Sequence, residues 1–421
     1  MTQTTQTSLE DYLATAADWL SQHARPRPPS GSLEWGSGPD RVSLFRDNTP
    51  EQERDEIAAL LAWQRTKFDA GYGAISWPAE YGGAGLPLSY ELGFRSLEAG
   101  FAIPQMSEAV SISLEIEAPT VLRLGTEEQR QRWIRALRRG DLLCCQLFSE
   151  PGAGSDLGAI STRAVRDGHD WVIDGQKVWT SGAHLAQLGY VIVRTDPGAP
   201  RQQAFTAFIV PMDSPGITVR PIRQMTGGTN FNEVFFDGVR VSDDHRIGDV
   251  GAGWQAMMTT LGFERASAAR GGGGGGPDIF GRLVLAARHR DRLRDPHVRQ
   301  ALADLYAKNR MRSWTARRAA AAARASGVPG PEGSLSKLAL THFLQDAGDV
   351  ASLVLGPSMV ADTGEWGSYA WSDLVCGVPG LRLGGGTDEI QKNTIAERAL
   401  GLPREPRVNA SSETTTERSS R

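Results

Sequence analysis

Residues 147–156 read Leu-Phe-Ser-Glu-Pro-Gly-Ala-Gly-Ser-Asp. The Pro-Gly-Ala-Gly-Ser part of this stretch predicts a tight loop whose backbone N–H groups converge. Such a concavity, with the hydroxyl of Ser155 beside it, suits phosphate oxygens. A plain turn at the end of a helical region is the alternative, because a single glycine-rich loop is a weak signal. The composition changes near this loop, which therefore helps to divide the chain.

The chain before the loop is predicted to be helical. Thr49 and Gln52 are spaced as in a capping box, with Pro50 at the first helical position. Thr126 and Gln129 have the same spacing. Residues 1–141 therefore form an N-terminal helical domain in this interpretation.

Residues 142–250 combine short β-rich runs with turn signals, among them Asp174-Gly175 and Asp237-Gly238. This pattern predicts a small antiparallel barrel or sandwich. Residues 251–405 return to helical composition, and residues 406–421, rich in Ser, Thr, Glu and Arg, predict a disordered tail. The β-rich runs are residues 171–173, 190–193, 205–210, 217–219 and 234–236.

Composition excludes several classes of protein. The 421 residues carry 45 basic and 49 acidic side chains, a net charge of −4, which argues against a nucleic-acid binder. There is no apolar run of 18 residues, so no membrane span is expected. The first twenty residues contain no basic side chain, unlike a signal or transit peptide.

Cysteine and histidine usage argues against a disulfide framework and against a metal site. The sequence has three cysteines, and two of them, Cys144 and Cys145, are adjacent, which is a poor start for a disulfide framework. A reducing compartment, and hence a cytoplasmic location, is expected. The seven histidines are scattered without the spacing of a metal site, so no metal is expected.

Two further motifs could hold a ligand. Trp179, Thr180 and Ser181 would give a flat apolar wall beside two hydroxyls, which suits a planar heteroaromatic ring; a half-buried strand with a core tryptophan is the alternative. Residues 384–391 read Gly-Gly-Gly-Thr-Asp-Glu-Ile-Gln. Three glycines allow a large ligand to approach the backbone closely, although a plain loop explains them equally well.

Taken together and in this order, the motifs resemble those of the acyl-CoA dehydrogenase family from about residue 8 to about residue 405. The resemblance also rests on Trp-Pro-Ala-Glu-Tyr-Gly-Gly at 77–83, Phe-Asn-Glu-Val-Phe-Phe-Asp at 231–237 and Ala-Glu-Arg-Ala-Leu-Gly-Leu at 396–402. It implies an α+β multidomain fold: an N-terminal helical domain, a middle antiparallel β-barrel domain and a C-terminal four-helix bundle. It also implies bound FAD and a homodimer or homotetramer.

By the same resemblance, one set of residues lies where the family binds FAD. Leu353 and Gly356 match, loosely, a segment that reaches the FAD of a neighbouring subunit. Either Arg288 or Arg290 would hold the FAD pyrophosphate, and the sequence leaves that choice open. The residues expected at the cofactor of the same subunit are Gln146, Phe148, Ser149, Ser155, Trp179, Thr180, Ser181, Thr387 and Glu389.

The catalytic base departs from the commonest family pattern. That pattern places a carboxylate just before a Gly-Thr pair, where this sequence has Gly385. Isovaleryl- and long-chain-type members resemble this sequence more, because their base precedes an arginine on the first helix after the β domain, as Glu264 precedes Arg265 here. A helical salt bridge between Glu264 and a nearby cation is the alternative. Ser155 and Arg265 are the expected substrate contacts.

The resemblance implies FAD-dependent conversion of an acyl-CoA to a trans-2-enoyl-CoA. Glu264 would take the α-proton while a hydride passes to flavin N5, and the N–H of Gly385 and a flavin ribityl hydroxyl would polarise the thioester carbonyl. The substrate would be an acyl-CoA or an acyl-carrier thioester, and electrons would pass to an electron-transfer flavoprotein. The alternatives are an oxidase or monooxygenase of the same superfamily, and a catalytically silent partner subunit. Six glycines at 271–276 predict either a flexible linker, or missing side chains that make room for a bulky acyl group or a close helix contact.

Overall fold

A computed structural model of the chain describes residues 8–27, 34–45, 48–271, 278–326 and 330–404. Most of the six-glycine run and the predicted tail at 406–421 lie outside the described residues, so the predictions made for them stay predictions. The order of a helical, a β-rich and a second helical region is as predicted.

The N-terminal region is helical because its caps and its apolar spacing agree. Both capping boxes are present: the Thr49 hydroxyl accepts from the Gln52 N–H at 3.2 Å, and the Thr126 hydroxyl accepts from the Gln129 N–H at 3.3 Å. The short strands Arg25–Pro26 (β1) and Phe101–Ala102 (β2) pair with each other. The helices of this region are α1 (Leu9–His23), α2 (Pro50–Asp69), α3 (Leu88–Glu98), α4 (Glu108–Ser111), α5 (Ala118–Leu124) and α6 (Glu127–Arg139).

A wide helical turn, Ile112–Glu117, joins α4 to α5 and is called the π turn below. It is fixed to the first strand of the middle region, because the Ser113 hydroxyl accepts from the Cys144 N–H at 2.9 Å and donates to the Cys144 carbonyl at 3.1 Å. The N-terminal region thereby packs directly on the sheet.

The middle region is one sheet of eight strands. Its hydrogen-bonded order is β10-β7-β6-β4-β5-β9-β8, with β3 added beside β6. The strands are β3 (Cys144–Leu147), β4 (Arg163–Asp167), β5 (Asp170–Ser181), β6 (Leu188–Arg194), β7 (Phe205–Pro211), β8 (Ile217–Ile222), β9 (Phe231–Ser242) and β10 (Arg246–Ile247).

Strand β6 is buried on both faces, which explains its continuous apolar sequence. Tyr190 and Ile192 share a core with the helices of the N-terminal region, whereas Val191 and Val193 share a core with Trp171 of β5. The sheet therefore has helices on one side and its own far strands on the other.

The sheet corrects one sequence prediction and leaves a second one unconfirmed. The sheet is mixed rather than antiparallel, because β6 runs parallel to its neighbours β3 and β4. Strand β5 runs antiparallel to β4, and the chain reverses direction again between β5 and β6. The pairings among the described residues also run in an open order from β10 to β8, so a closed barrel is not confirmed.

The two Asp-Gly pairs are not turns, contrary to prediction. Asp174 and Gly175 lie inside β5, and Asp237 and Gly238 lie inside β9, because these strands pair with each other over most of their length. Gly175 serves a bulge instead: its φ is +149°, and a Cβ there would stand 2.5 Å from the Thr162 hydroxyl oxygen.

In the C-terminal region four helices, α8 to α11, share one buried core, to which Leu283, Leu302, Phe343 and Trp371 each contribute. Whether they form the expected four-helix bundle stays a prediction. The helix α7 instead packs on the π turn, α5 and β7, which brings it to the sheet. The helices are α7 (Gly253–Gly271), α8 (Ile279–His289), α9 (Pro296–Ser326), α10 (Glu332–Leu355), α11 (Ala370–Leu383) and α12 (Asp388–Thr394).

The predicted domain boundaries fall between elements: α6 ends at Arg139 before β3 begins, and β10 ends at Ile247 before α7 begins. Over the described ranges, no helix is long and apolar enough to cross a membrane, and no group of three or more His, Cys, Asp or Glu side chains is arranged to hold a metal.

Candidate active site

The carboxyl group of Glu264 lies where three distant segments meet. Its Oε2 accepts a hydrogen bond from the Gln146 amide of β3 at 3.2 Å. Its Oε1 lies 3.7 Å from the point where a Cβ would stand on Gly385, in the loop before α12. The two base positions known from the family resemblance therefore point into the same volume.

The loop conformation at Gly385 depends on glycine. The φ angles of Gly385 and Gly386 are +63° and +86°, in the left-handed region that side chains other than glycine rarely adopt. Within the described residues, the Glu264 oxygen is the one heavy atom that a Cβ on Gly385 would meet within 4 Å. Backbone conformation, and not lack of space, is what favours glycine here.

Burial raises the pKa of Glu264, while the Gln146 hydrogen bond and the charges of Arg265 and Lys337 act in the opposite direction. Among the described residues Glu264 makes no ion pair within 4 Å, and the side chain of Arg265 is exposed. The salt-bridge interpretation of Glu264 therefore finds no support. A carboxylate with a raised pKa is the stronger proton acceptor that proton abstraction from carbon needs.

The glycine-rich loop that follows β3 is held on β5 by a buried ion pair. The Lys177 ammonium donates to Glu150 at 2.8 Å, to the Phe148 carbonyl at 3.1 Å and to the Ile192 carbonyl at 2.8 Å. The Ser149 carbonyl accepts from the Val178 N–H at 2.9 Å. The loop is thereby fixed beside the next predicted motif on β5.

The same ion pair makes Glu150, the carboxylate of the glycine-rich loop, a weak proton acceptor. Burial alone would raise the pKa of Glu150, but the Lys177 charge, together with hydrogen bonds from Ser161 and Thr162, lowers that pKa to about 2. Burial in turn lowers the pKa of Lys177 to about 8. Glu150 is a structural carboxylate.

Trp179 sits on a bulge of β5 with an unusual backbone. Its φ is +60°, and 59% of its side chain is exposed. A left-handed backbone at a bulky residue costs about 1–3 kcal/mol and is found where function requires it. The indole therefore presents an open flat face near the C-terminal end of β5.

Two buried oxygens bear on whether a planar heteroaromatic cofactor fits this region. Thr180 Oγ1 and Gln146 Oε1 have no hydrogen-bond partner among the described residues. Buried polar atoms in native proteins are almost always satisfied, so a ligand or water must complete them. An exposed indole with unsatisfied buried oxygens on β5 itself and on β3 fits a planar heteroaromatic group such as the flavin of FAD.

The other predicted residues are placed in different ways. Phe148 is 4% exposed, with its ring packed inward at 5.7 Å from that of Tyr190, whereas Ser155 is exposed on the loop. Thr387 caps α12, its hydroxyl accepting from the Ile390 N–H at 3.2 Å, and Glu389 is exposed on the first turn of that helix.

Two predicted residues are not brought to this site. Leu353 and Gly356 lie at the exposed C-terminal end of α10. That end is about 24 Å along the helix axis from Lys337, at 1.5 Å per residue.

Of the two candidate arginines for a pyrophosphate, Arg290 is held by Glu365 and Arg288 is exposed.

Sequence reasoning missed Glu117, the last residue of the π turn. Its side chain is 1% exposed, and neither carboxyl oxygen has a hydrogen-bond partner among the described residues. Burial and the nearby charge of Glu264 raise the pKa of Glu117 well above its ordinary value. The apolar neighbours Ile116 and Ala118 were a faint signal, but the wide turn changes which face of the helix is buried.

Comparison with known proteins identifies the family of this chain. The acyl-CoA dehydrogenase N-terminal, middle and C-terminal domain families match residues 46–141, 145–239 and 251–400. The acyl-CoA dehydrogenase IpdE1 of Mycobacterium tuberculosis is 37% identical over 363 residues, which cover 85% of this chain and 91% of that protein.

Solved structures give the same result. The Tcur3481-Tcur3483 steroid ACAD superposes with a TM-score of 0.71 at 26% identity, covering 96% of this chain and 100% of the other. The ChsE4-ChsE5 complex from Mycobacterium tuberculosis has a TM-score of 0.68 at 27% identity, with 96% and 100% of the two chains covered. The chain therefore belongs to the acyl-CoA dehydrogenase family of FAD-dependent oxidoreductases.

Proposed function

We propose that this protein removes hydrogen from the α and β carbons of an acyl thioester with Glu264 as the base. The observation that carries the proposal is the 3.7 Å separation between the Glu264 carboxyl and the Cβ position of Gly385. A carboxylate supplied by α7 stands where one supplied by the loop before α12 would reach. The lack of a carboxylate at position 385 therefore leaves the proposed site with a base.

The α-proton of a thioester is too weakly acidic for a carboxylate to remove unaided. The N–H of Gly385 would donate to the thioester oxygen and stabilise the negative charge that develops there. Glu264 would accept the proton, and its raised pKa favours that transfer. Gln146, which donates to Glu264 Oε2, would hold the carboxyl group in place.

Two segments would hold FAD. One contains Gln146 of β3 and Ser149 just after it, and the other contains Trp179, Thr180 and Ser181 of β5. The chemistry that bound FAD supplies is acceptance of the hydride that leaves the β-carbon. The α-proton goes to Glu264, so the acyl group loses one proton and one hydride and becomes the trans-2-enoyl thioester. Electrons would then leave to an electron-transfer flavoprotein.

The acyl carrier and the acyl group define the assay. We propose CoA or an acyl-carrier protein as the carrier, and we propose testing straight, branched and sterol-derived acyl groups, since one solved relative is described as a steroid ACAD. Turnover with an artificial electron acceptor identifies a dehydrogenase. Peroxide release would instead identify an oxidase.

The decisive variant is Glu264→Gln, which keeps the shape of the side chain but cannot accept the proton. We expect kcat to fall by at least about 10²–10⁴-fold, the usual contribution of a positioned base, with FAD and thioester binding retained. Thioester binding is read from its perturbation of the flavin spectrum. Glu51→Gln, at an exposed carboxyl on α2, is the control and should behave as the parent. Turnover of Glu264→Gln at the parent rate would show that another group is the base.

We also propose that the active form is at least a dimer, because Leu353 and Gly356 are exposed at the far end of α10 and match a segment that serves a neighbouring FAD. Native mass spectrometry after co-expression with adjacent genes distinguishes two copies of this chain from a pair of different chains; two solved relatives carry paired names. A monomer that keeps its FAD would refute the proposal.

A further inference from the structure

Lys337, a residue outside the expected catalytic set, makes direct hydrogen bonds to the loop before α12. From α10, its ammonium nitrogen donates to the Gly384 carbonyl at 2.6 Å and also to the Gly386 carbonyl. These are the residues on either side of Gly385. The side chain is half-buried, so the contact is not a loose surface pairing.

The loop needs such a restraint. Three successive glycines lose more conformational freedom on ordering than other residues, and two of them have positive φ. Gln391 contributes from α12, its amide donating to the Gly385 carbonyl at 2.9 Å and to the Gly386 carbonyl at 3.2 Å. Within the described residues, Lys337 brings the positive charge, and charge-assisted hydrogen bonds are about twice as strong as neutral ones.

Because the peptide unit is planar, a restraint on the Gly384 carbonyl also determines the direction of the Gly385 N–H. The carbonyl of Gly384 and the N–H of Gly385 belong to one trans peptide unit, so they point in opposite directions. Because Lys337 holds the carbonyl end, the N–H end is turned away from α10. A cation on the carbonyl also polarises the same peptide and makes its N–H a better donor.

We propose that Lys337 is a positioning residue for the dehydrogenation: it fixes and polarises the peptide between Gly384 and Gly385 so that the Gly385 N–H faces the thioester oxygen. This deepens the proposed function and rests on it. The proton removed from the α-carbon still goes to Glu264, and Lys337 neither gains nor loses a proton in the step.

Two carboxylates face the ammonium group from neighbouring elements, Glu264 on α7 and Asp388 on α12. Burial lowers the pKa of Lys337, and these two charges oppose that shift. The charge of Lys337 in turn lowers the pKa of Glu264. Its removal should therefore move the acid limb of the pH profile of kcat/KM to higher pH, an effect that a merely structural role would not produce.

The test uses Lys337→Met, which removes the charge and the donors, Lys337→Gln as a second neutral variant, and Lys337→Arg as the conservative one. The holoenzyme is assayed with the best thioester of the substrate panel, undeuterated and α-deuterated. We expect the neutral variants to lose about 10–100-fold in kcat with a smaller change in KM, less than the 10²–10³-fold that loss of an oxyanion donor itself costs. The α-deuterium isotope effect should rise, and Lys337→Arg should recover most of the rate. Lys392→Met, at an exposed lysine of α12, is the matched control.

A kcat within twofold of the parent in both neutral variants would overturn the proposal. So would a loss explained wholly by released FAD or by a lower melting temperature, with the isotope effect and pH profile unchanged. Failure of the proposed function is recognised separately, because it would show as full turnover by Glu264→Gln whatever Lys337 does.

Discussion

Moving the base from α7 to the loop before α12 is the sharpest test of how this site works. Glu264→Ala removes the carboxyl group and vacates its volume, and Gly385→Glu introduces a new one at the other position. A Cβ on Gly385 would lie 3.7 Å from the present Glu264 Oε1, with no other heavy atom of the described residues within 4 Å. We therefore expect the new side chain to reach the place that the Glu264 carboxyl leaves.

The cost of the transfer comes from the backbone. The φ of Gly385 is +63°, and a residue with a side chain pays about 1–2 kcal/mol in that left-handed conformation. At 1.36 kcal/mol for each factor of ten in rate, this corresponds to a loss of about 5–30-fold if all the strain reduces the fraction of correctly placed carboxylate. We therefore expect Glu264→Ala to lose at least about 10²–10⁴-fold in kcat, and the double variant to return to within about 5–30-fold of the parent.

The assay is turnover of the best thioester with an artificial acceptor, corrected for bound FAD. Gly385→Gln in the Glu264→Ala background carries the same backbone strain without a base, so it should stay as inactive as Glu264→Ala. A double variant that binds FAD and thioester yet is no faster than this control would refute the idea that the two positions serve the same carbon.

Two further predictions concern buried ionisable groups. Burial raises the pKa of Glu117 above its ordinary 4.5. Above pH 4.5 the folded chain therefore keeps a proton that the unfolded chain loses. The free energy of unfolding then falls by about 1.4 kcal/mol per pH unit until the folded group also ionises. Melting temperatures of the parent and Glu117→Gln, measured from pH 5 to 8, should diverge with the parent falling faster, and parallel curves would contradict this. Lys177→Met leaves Glu150 buried without its cation and should cost about 3–5 kcal/mol in denaturant unfolding, whereas a cost below about 1 kcal/mol would show that the pair is dispensable.

Features governed by neighbours in sequence could be read from the sequence. The capping boxes at Thr49 and Thr126 form as predicted, because the cap and its partner are three residues apart. The order of helical and β-rich regions and the family followed from motifs that each lie within about ten residues. The turns expected at the two Asp-Gly pairs were wrong, since pairing between β5 and β9 outweighs a local preference for turning.

The sequence by itself determined the caps, the order of regions, the family and the choice of Glu264 as the candidate base. Only the tertiary structure placed Glu264 against Gly385, buried Glu117 in the π turn and directed Lys337 onto the glycine loop. These contacts join helices, strands and loops far apart in the chain. Distances and burial between such segments are set by packing of the whole molecule, which no local pattern of residues encodes.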